Sequence, residues 1–276
     1  MTPEIVILIQ SGKGGSGKTT IAAEIGKRLS KYVSVGMIDA DIRAPNLLHE
    51  LGYDENNSEM GVVGQKFIPI KVGDIEVLSA SSFFDETVGI EWGSDEMAQF
   101  LSMIYDNLLW SNNRVLIIDT EPSDVAALDW ATKKFGHRLY SVVVTTTDEK
   151  SISNCRRIID TNKRKNVRQI GIIGNMVGNV CPHCGSELKC AVCGEPIGNS
   201  VAVDVGKIKE FANEVNLRCV ATVPKSEGNI LYGDDIDELV ESIVYKIDNW
   251  LKTEFAKKIT GVAKWMEKKV RENNRL

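Results

Sequence analysis

Ile5-Val6-Ile7-Leu8-Ile9-Gln10-Ser11-Gly12-Lys13-Gly14-Gly15-Ser16-Gly17-Lys18-Thr19-Thr20 divides into three pieces in immediate succession. The five apolar residues Ile5 to Ile9 carry no polar alternation, so they fit a strand buried on both faces. A glycine-rich turn follows. Thr19 to Lys31 then carries the spacing of an amphipathic helix.

The same alternation continues outward. Val33 to Asp39, Ile75 to Leu78, Arg114 to Asp119, Leu139 to Thr145, Val167 to Asn175 and Leu217 to Val223 read as strands, with helices between them. Residues 94–110 read as a helix capped by Ser94, and residues 40–73 as loop-rich, punctuated by Gly, Asn and Pro. Continuous apolar strands alternating with helices predict an α/β three-layer sandwich around a mainly parallel, twisted sheet. Ligands of such a sheet bind beyond the carboxyl ends of its strands. Residues 1–245 are expected to form one domain, and 246–276 a C-terminal helix. Residues 178–200, rich in Gly and Cys, break the alternation as a small insertion.

With 276 residues, 43% hydrophobic and 26% charged, the chain can bury a full core without disulfides. The net charge of −5 gives no overall attraction to nucleic acid or anionic lipid. No export segment is visible at Ile5–Ile9, and no apolar run approaches the ~18 residues of a membrane span. A cytoplasmic location is expected, where paired cysteines point to metal rather than to disulfides.

Gly12-x4-Gly17-Lys18-Thr19 matches the P-loop pattern. Glycines let the backbone curl so that successive N–H groups face phosphate oxygens, and the helix N-terminus adds positive potential. Lys18 is expected to reach the β- and γ-phosphates of ATP, and Thr19 to ligate Mg²⁺. Gly12, Lys13, Gly14, Gly15, Ser16, Gly17, Lys18, Thr19 and Thr20 make up this cradle. Asp39 and Asp41, in the Asp39-Ala40-Asp41 end of the second strand, and Asp119, at the end of the Val115–Ile118 strand, stand where carboxylates hold Mg²⁺ or orient water.

Lys13-Gly14-Gly15-Ser16-Gly17-Lys18-Thr19-Thr20 resembles the deviant Walker A motif of the MinD/ParA/Mrp superfamily of P-loop NTPases. The resemblance spans roughly residues 4 to 245. It implies a homodimeric ATPase in which Lys13 contacts the partner's nucleotide, much as an arginine finger does. Asp39-Ala40-Asp41-Ile42-Arg43-Ala44-Pro45-Asn46 is similar to switch I of Mrp-type proteins, Asp-Ala-Asp-Ile-Tyr-Gly-Pro-Ser, and implies that Asp41 positions the attacking water. Asp119-Thr120-Glu121-Pro122-Ser123 resembles switch II, Asp-Thr-Pro-Pro-Gly, with Asp119 as the Walker B carboxylate. Asn175-Met176 resembles the segment at which the family reads adenine.

Six cysteines are present. Cys181-Pro-His-Cys184-Gly and Cys190-Ala-Val-Cys193-Gly form two knuckles that can aim four thiolates at one metal, as Zn²⁺, Fe or a Cys₄ Fe–S cluster. Cys155 and Cys219 fit core positions, and His183 is a bystander. In Mrp-type Fe–S carriers a Cys-x-x-Cys pair follows the Asn-Met segment, and two subunits share a bridging [4Fe–4S] cluster. Cys181 and Cys184 match that pair; the second pair is additional and allows a structural Zn²⁺ site.

Leu251, Phe255, Ile259, Val262, Met266 and Val270 recur at helical spacing, and residues 251–276 carry net +5 from eight Lys/Arg and three Glu. This helix fits docking on the body, an anionic membrane or another acidic partner. The leading expectation is an Mrp-like ATPase that delivers Fe–S clusters to client apoproteins. The alternative is a MinD/ParA-type positioning or partition ATPase with a zinc site.

Overall fold

The computed structural model describes residues 3–53, 60–83, 93–111, 113–179, 186–197, 201–225 and the helical positions 236, 237, 239–241, 243 and 245. In chain order the elements are β1 (Ile5–Ser11), α1 (Lys18–Leu29), β2 (Val35–Asp39), α2 (Leu47–Leu51), β3 (Val62–Val63), β4 (Lys66–Phe67), β5 (Ile70–Val72) and β6 (Ile75–Ser79). They continue with α3 (Ser94–Asn107), β7 (Val115–Asp119), α4 (Val125–Phe135), β8 (Leu139–Thr145), α5 (Glu149–Arg164), β9 (Arg168–Asn179), α6 (Val201–Glu214) and β10 (Cys219–Lys225).

Eight strands form one sheet in the order β10-β9-β8-β1-β7-β2-β6-β5. Every neighbouring pair is parallel except β5 with β6. Each residue of β1, β2, β6 and β7 is buried, as strands covered on both faces require. Ile5, Ile7 and Ile9 pack with α1, α2 and the helical residues Ile236, Leu239, Val240 and Ile243 on one face. Val6 and Leu8 pack on the other with α3 and α4, while α5 and α6 cover β8 and β9. Each such buried side chain contributes about 1.5–3 kcal/mol, so the three layers are fixed by the apolar pattern itself.

Register places the functional residues. Asp39 of β2 and Asp119 of β7 are direct neighbours across the ladder, and Asp119 also pairs with Ile9. Alternation puts Val115, Ile117 and Asp119 on one face, with Met37 and Asp39 beside them. This is the face on which α1 packs, so two carboxylates lie beneath the start of that helix.

Several boundaries differ from expectation. Helix α1 starts one residue earlier, at Lys18, and ends at Leu29. Ser94 is the first residue of α3 and not its cap: Gly93 caps it, its N–H donating to Glu96 Oε2 at 2.6 Å. The stretch 40–73 is more structured than its turn formers imply, with α2, the β3–β4 hairpin and edge strand β5. Asp39, through Asn46 and Leu47, organises α2 from a distance. Cys155 is buried in the core as expected, and Cys219 is partly buried against it. Cys181, His183, Cys184 and residues 246–276 lie outside the described residues. Among the described residues no helix is long and apolar enough to cross a membrane.

Candidate nucleotide-binding site

β1 stops at Ser11, and the chain turns through six residues before α1 begins. Gly15 and Gly17 sit at φ +73° and +77°, left-handed values that disfavour side chains. Close approach adds a second demand for glycine. A Cβ on Gly12 would lie 2.4 Å from Asn154 Cβ, and one on Gly17 would lie 2.1 Å from Asn175 Nδ2. The loop is thus clamped from below. Asn154 Nδ2 donates to Gly12 O at 2.7 Å, and Asn175 Nδ2 donates to Ser16 O at 2.8 Å. Met176 follows in a left-handed conformation, φ +58°, inside β9. Such strain in a non-glycine residue costs about 1–3 kcal/mol and clusters at functional sites.

No side chain caps the N-terminus of α1, which leaves its first amides open to an anion. Among the described residues Ser16 Oγ is buried with no hydrogen-bond partner. Lys18, 6% exposed, reaches fully buried Asp119: Nζ to Oδ1 is 3.1 Å. Thr19 Oγ1 donates to Asp119 Oδ2 at 2.6 Å. Burial raises the proton affinity of Asp119, while Lys18 and Thr19 oppose the rise. Asp39 receives N–H bonds from Asp41, Asn46 and Leu47 at 3.0–3.1 Å. Its pKa still rises to about 7, driven first by burial and next by Asp119. Asp39 and Asp119 are thus neighbouring buried carboxylates at the ends of β2 and β7.

The cavity over the cradle holds about 570 Å³. Ser11, Lys13 to Thr20, Asp41, Arg43, Glu121 and Pro122 are among its lining residues. Asp41 Oδ1 accepts from Ala44 N at 3.0 Å, which turns the loop after β2 toward the cavity. Thr120 Oγ1 donates to Ile9 O at 3.0 Å, and Ser123 N to Ser11 O at 3.0 Å. These bonds lash the loop after β7 to β1. Ser123 stands where the Mrp pattern has glycine, and it adopts the glycine-like φ of +58°. Lys13, half exposed, pairs with Asp148 Oδ1 at 3.4 Å. Against slight burial, the Thr146 hydroxyl, Ser151 N–H and Lys13 hold the Asp148 carboxyl below its usual range.

The expected cradle residues and Asp41, Asp119 and Asn175 therefore converge on one end of the sheet. The second cysteine pair lies elsewhere. Gly194 N donates to Cys190 O at 2.9 Å, with Gly194 at φ +75°, closing a tight turn. Main-chain N–H groups of Cys193 and then Val192 face the Cys190 sulfur and lower its pKa. That is the turn expected of a thiolate knuckle. Among the described residues no three potential ligands gather as a metal set. Asn154 and the contact between Arg43 and Glu121 were not singled out by sequence; only a register assignment for β2, β7 and α5 would have found them.

A family model described as ParA, NUBPL iron-transfer P-loop NTPase, matches residues 3–252. The chain belongs to this family. Within it, the chain is 27% identical over 251 residues to an iron-sulfur cluster carrier protein of Methanocaldococcus jannaschii, covering 88% of this chain and 84% of that one. A carrier of the same description from Helicobacter pylori is 28% identical over 183 residues, 66% of this chain. The NUBPL-type chain spans about half of that relative's length, 50%. A nucleotide-binding protein of Archaeoglobus fulgidus, solved with ADP, superposes with a TM-score of 0.61 at 22% identity, over 86% of this chain and 85% of that one. The fold of this NUBPL-type NTPase is thus the one the sheet order displays.

Proposed function

We propose that this chain is an ATP-binding, Mg²⁺-dependent P-loop ATPase that carries or assembles Fe–S clusters, working as a homodimer in the cytosol. The observation that carries the nucleotide half is the glycine cradle with Lys18 and Thr19 both resting on buried Asp119. Main-chain amides at the start of α1 and the lone Ser16 hydroxyl take phosphate oxygens, and Lys18 supplies the positive charge. Thr19 and Asp119, with Asp41 nearby, fit a Mg²⁺ ion, which when bound neutralises phosphate charge. Asp41 orients the attacking water. Asn175 keeps Oδ1 to accept from the adenine amino group. Lys13 acts on the partner's nucleotide, so hydrolysis is slow until two copies close.

The cluster is cargo, carried by Cys181 and Cys184 for client apoproteins. The names of the relatives and the Cys-x-x-Cys spacing after Asn175-Met176 support this reading. A second reading, one Zn²⁺ held by Cys181, Cys184, Cys190 and Cys193, is favoured by the turn already formed at Cys190–Cys193. Anaerobic reconstitution with iron and sulfide separates them. The carrier gives a brown protein with absorbance near ~400 nm that is lost in Cys181→Ser/Cys184→Ser. A colourless protein holding zinc and unmoved by iron and sulfide would overturn it.

A further inference from the structure

Two departures from the Mrp pattern fall on residues that touch. Arg43 stands where the pattern has Tyr, and Glu121 where it has the first Pro. One follows β2 and the other follows β7, and the register that aligns Asp39 with Asp119 sets their loops side by side. Arg43 Nε lies 3.6 Å from Glu121 Oε2, and both residues line the nucleotide cavity.

The two partners are unequal. Glu121 is only 17% exposed, and among the described residues its Oε1 is buried without a hydrogen-bond partner. Its loop is pinned by Thr120 and Ser123 to β1, and Pro122 Cγ lies 3.9 Å from the Cβ position of Gly14. The main-chain N–H of Arg43 faces the Glu121 carboxylate as well. Arg43 is 71% exposed, so its guanidinium is the member free to swing. At 3.6 Å, and open to water on the arginine side, the contact is longer and looser than a charge-assisted hydrogen bond. A guanidinium–phosphate contact is charge-assisted and bidentate, and outcompetes it.

We propose that Arg43 senses the terminal phosphate of ATP within its own chain, with Glu121 holding the guanidinium at the cavity mouth until a triphosphate takes it. The proposal rests on the ATP-binding reading above. It gives a cis cation distinct from Lys13, and makes the two departures a single exchangeable contact. ADP, lacking the outermost phosphoryl group, leaves Arg43 on Glu121.

Calorimetric titration of the full chain with Mg-ATP and with Mg-ADP tests it through the ratio of the two affinities. Arg43→Ala should lower the ATP-over-ADP ratio by about tenfold, the loss of one charge-assisted contact. Glu121→Gln should raise the ratio by up to about fivefold, because it releases only that longer, looser contact. The double variant should match Arg43→Ala alone, since Glu121 acts only through Arg43. A ratio unmoved by Arg43→Ala, or a Glu121→Gln effect that persists without Arg43, overturns the proposal. Wild-type protein that binds neither nucleotide overturns the ATP reading itself.

Discussion

Gly17→Ala tests the clamp beneath the cradle. Two costs are separable. The first is backbone strain: φ is +77°, and an alanine there costs about 1–2 kcal/mol. The second is steric. The new Cβ would lie 2.1 Å from Asn175 Nδ2, a distance no packing tolerates. Asn175 is buried in β9, so the side chain must leave, and its 2.8 Å bond to Ser16 O breaks. A lost bond of this kind costs about 1–3 kcal/mol. Gly17→Ala should therefore destabilise by about 2–5 kcal/mol in total. Asn175→Ala alone removes the same bond and costs about 1–3 kcal/mol. In the double variant the collision is gone, and only strain is added to the already lost bond. The double variant should then be no less stable than Gly17→Ala, giving a coupling of about 1–3 kcal/mol. Urea unfolding followed by tryptophan fluorescence measures all four corners. Strictly additive effects would refute the clamp.

Lys18→Ala should abolish Mg-ATP binding and destabilise by about 3 kcal/mol near pH 8, because it leaves the buried Asp119 charge with the Thr19 hydroxyl but no cation beside it. The penalty should shrink as pH is lowered and Asp119 takes up a proton, and a penalty that does not change with pH would contradict its raised proton affinity. Lys13→Ala should retain nucleotide affinity and lose turnover, since its proposed work is in the transition state; steady-state rates beside titrations check it, and wild-type turnover would remove the trans role. Asp39 gives a pH signature. Its pKa is raised from 3.8 to about 7, so its contribution is fully present below 3.8 and lost as pH rises through about 7. The thermal midpoint of the nucleotide-free protein should fall across that window, and Asp39→Asn should flatten the fall; parallel curves would show that Asp39 is not responsible.

The sheet was legible because β1, β2 and β7 are buried on both faces, and a run such as Val115–Ile118 then has no polar residue to obscure it. The cradle was legible because its chemistry is local: glycines, Lys18 and Thr19 adjoin in sequence. What escaped depends on distance. Asp39 looked like one more carboxylate at a strand end, yet its three N–H partners include Asn46 and Leu47, which made ordered structure of an apparent loop. The glycine-like turn at Ser123 was hidden because serine carries no signal for φ +58°. Arg43 and Glu121 read separately as mismatches, and only the β2–β7 register brings them together.

β9 runs for 12 residues, against at most 7 for any other strand of the sheet. It passes under the cradle at Asn175 and ends at Asn179, two positions before the first thiol at Cys181. That overrun is not straight: Met176 and Gly178 take left-handed φ of +58° and +66°, and the step from Asn175 to Asn179 spans only Val223 to Lys225 of β10. A kinked exit of this kind does not pass a push straight along the strand; any shift of Asn175 must first work through the backbone turns at Met176 and Gly178.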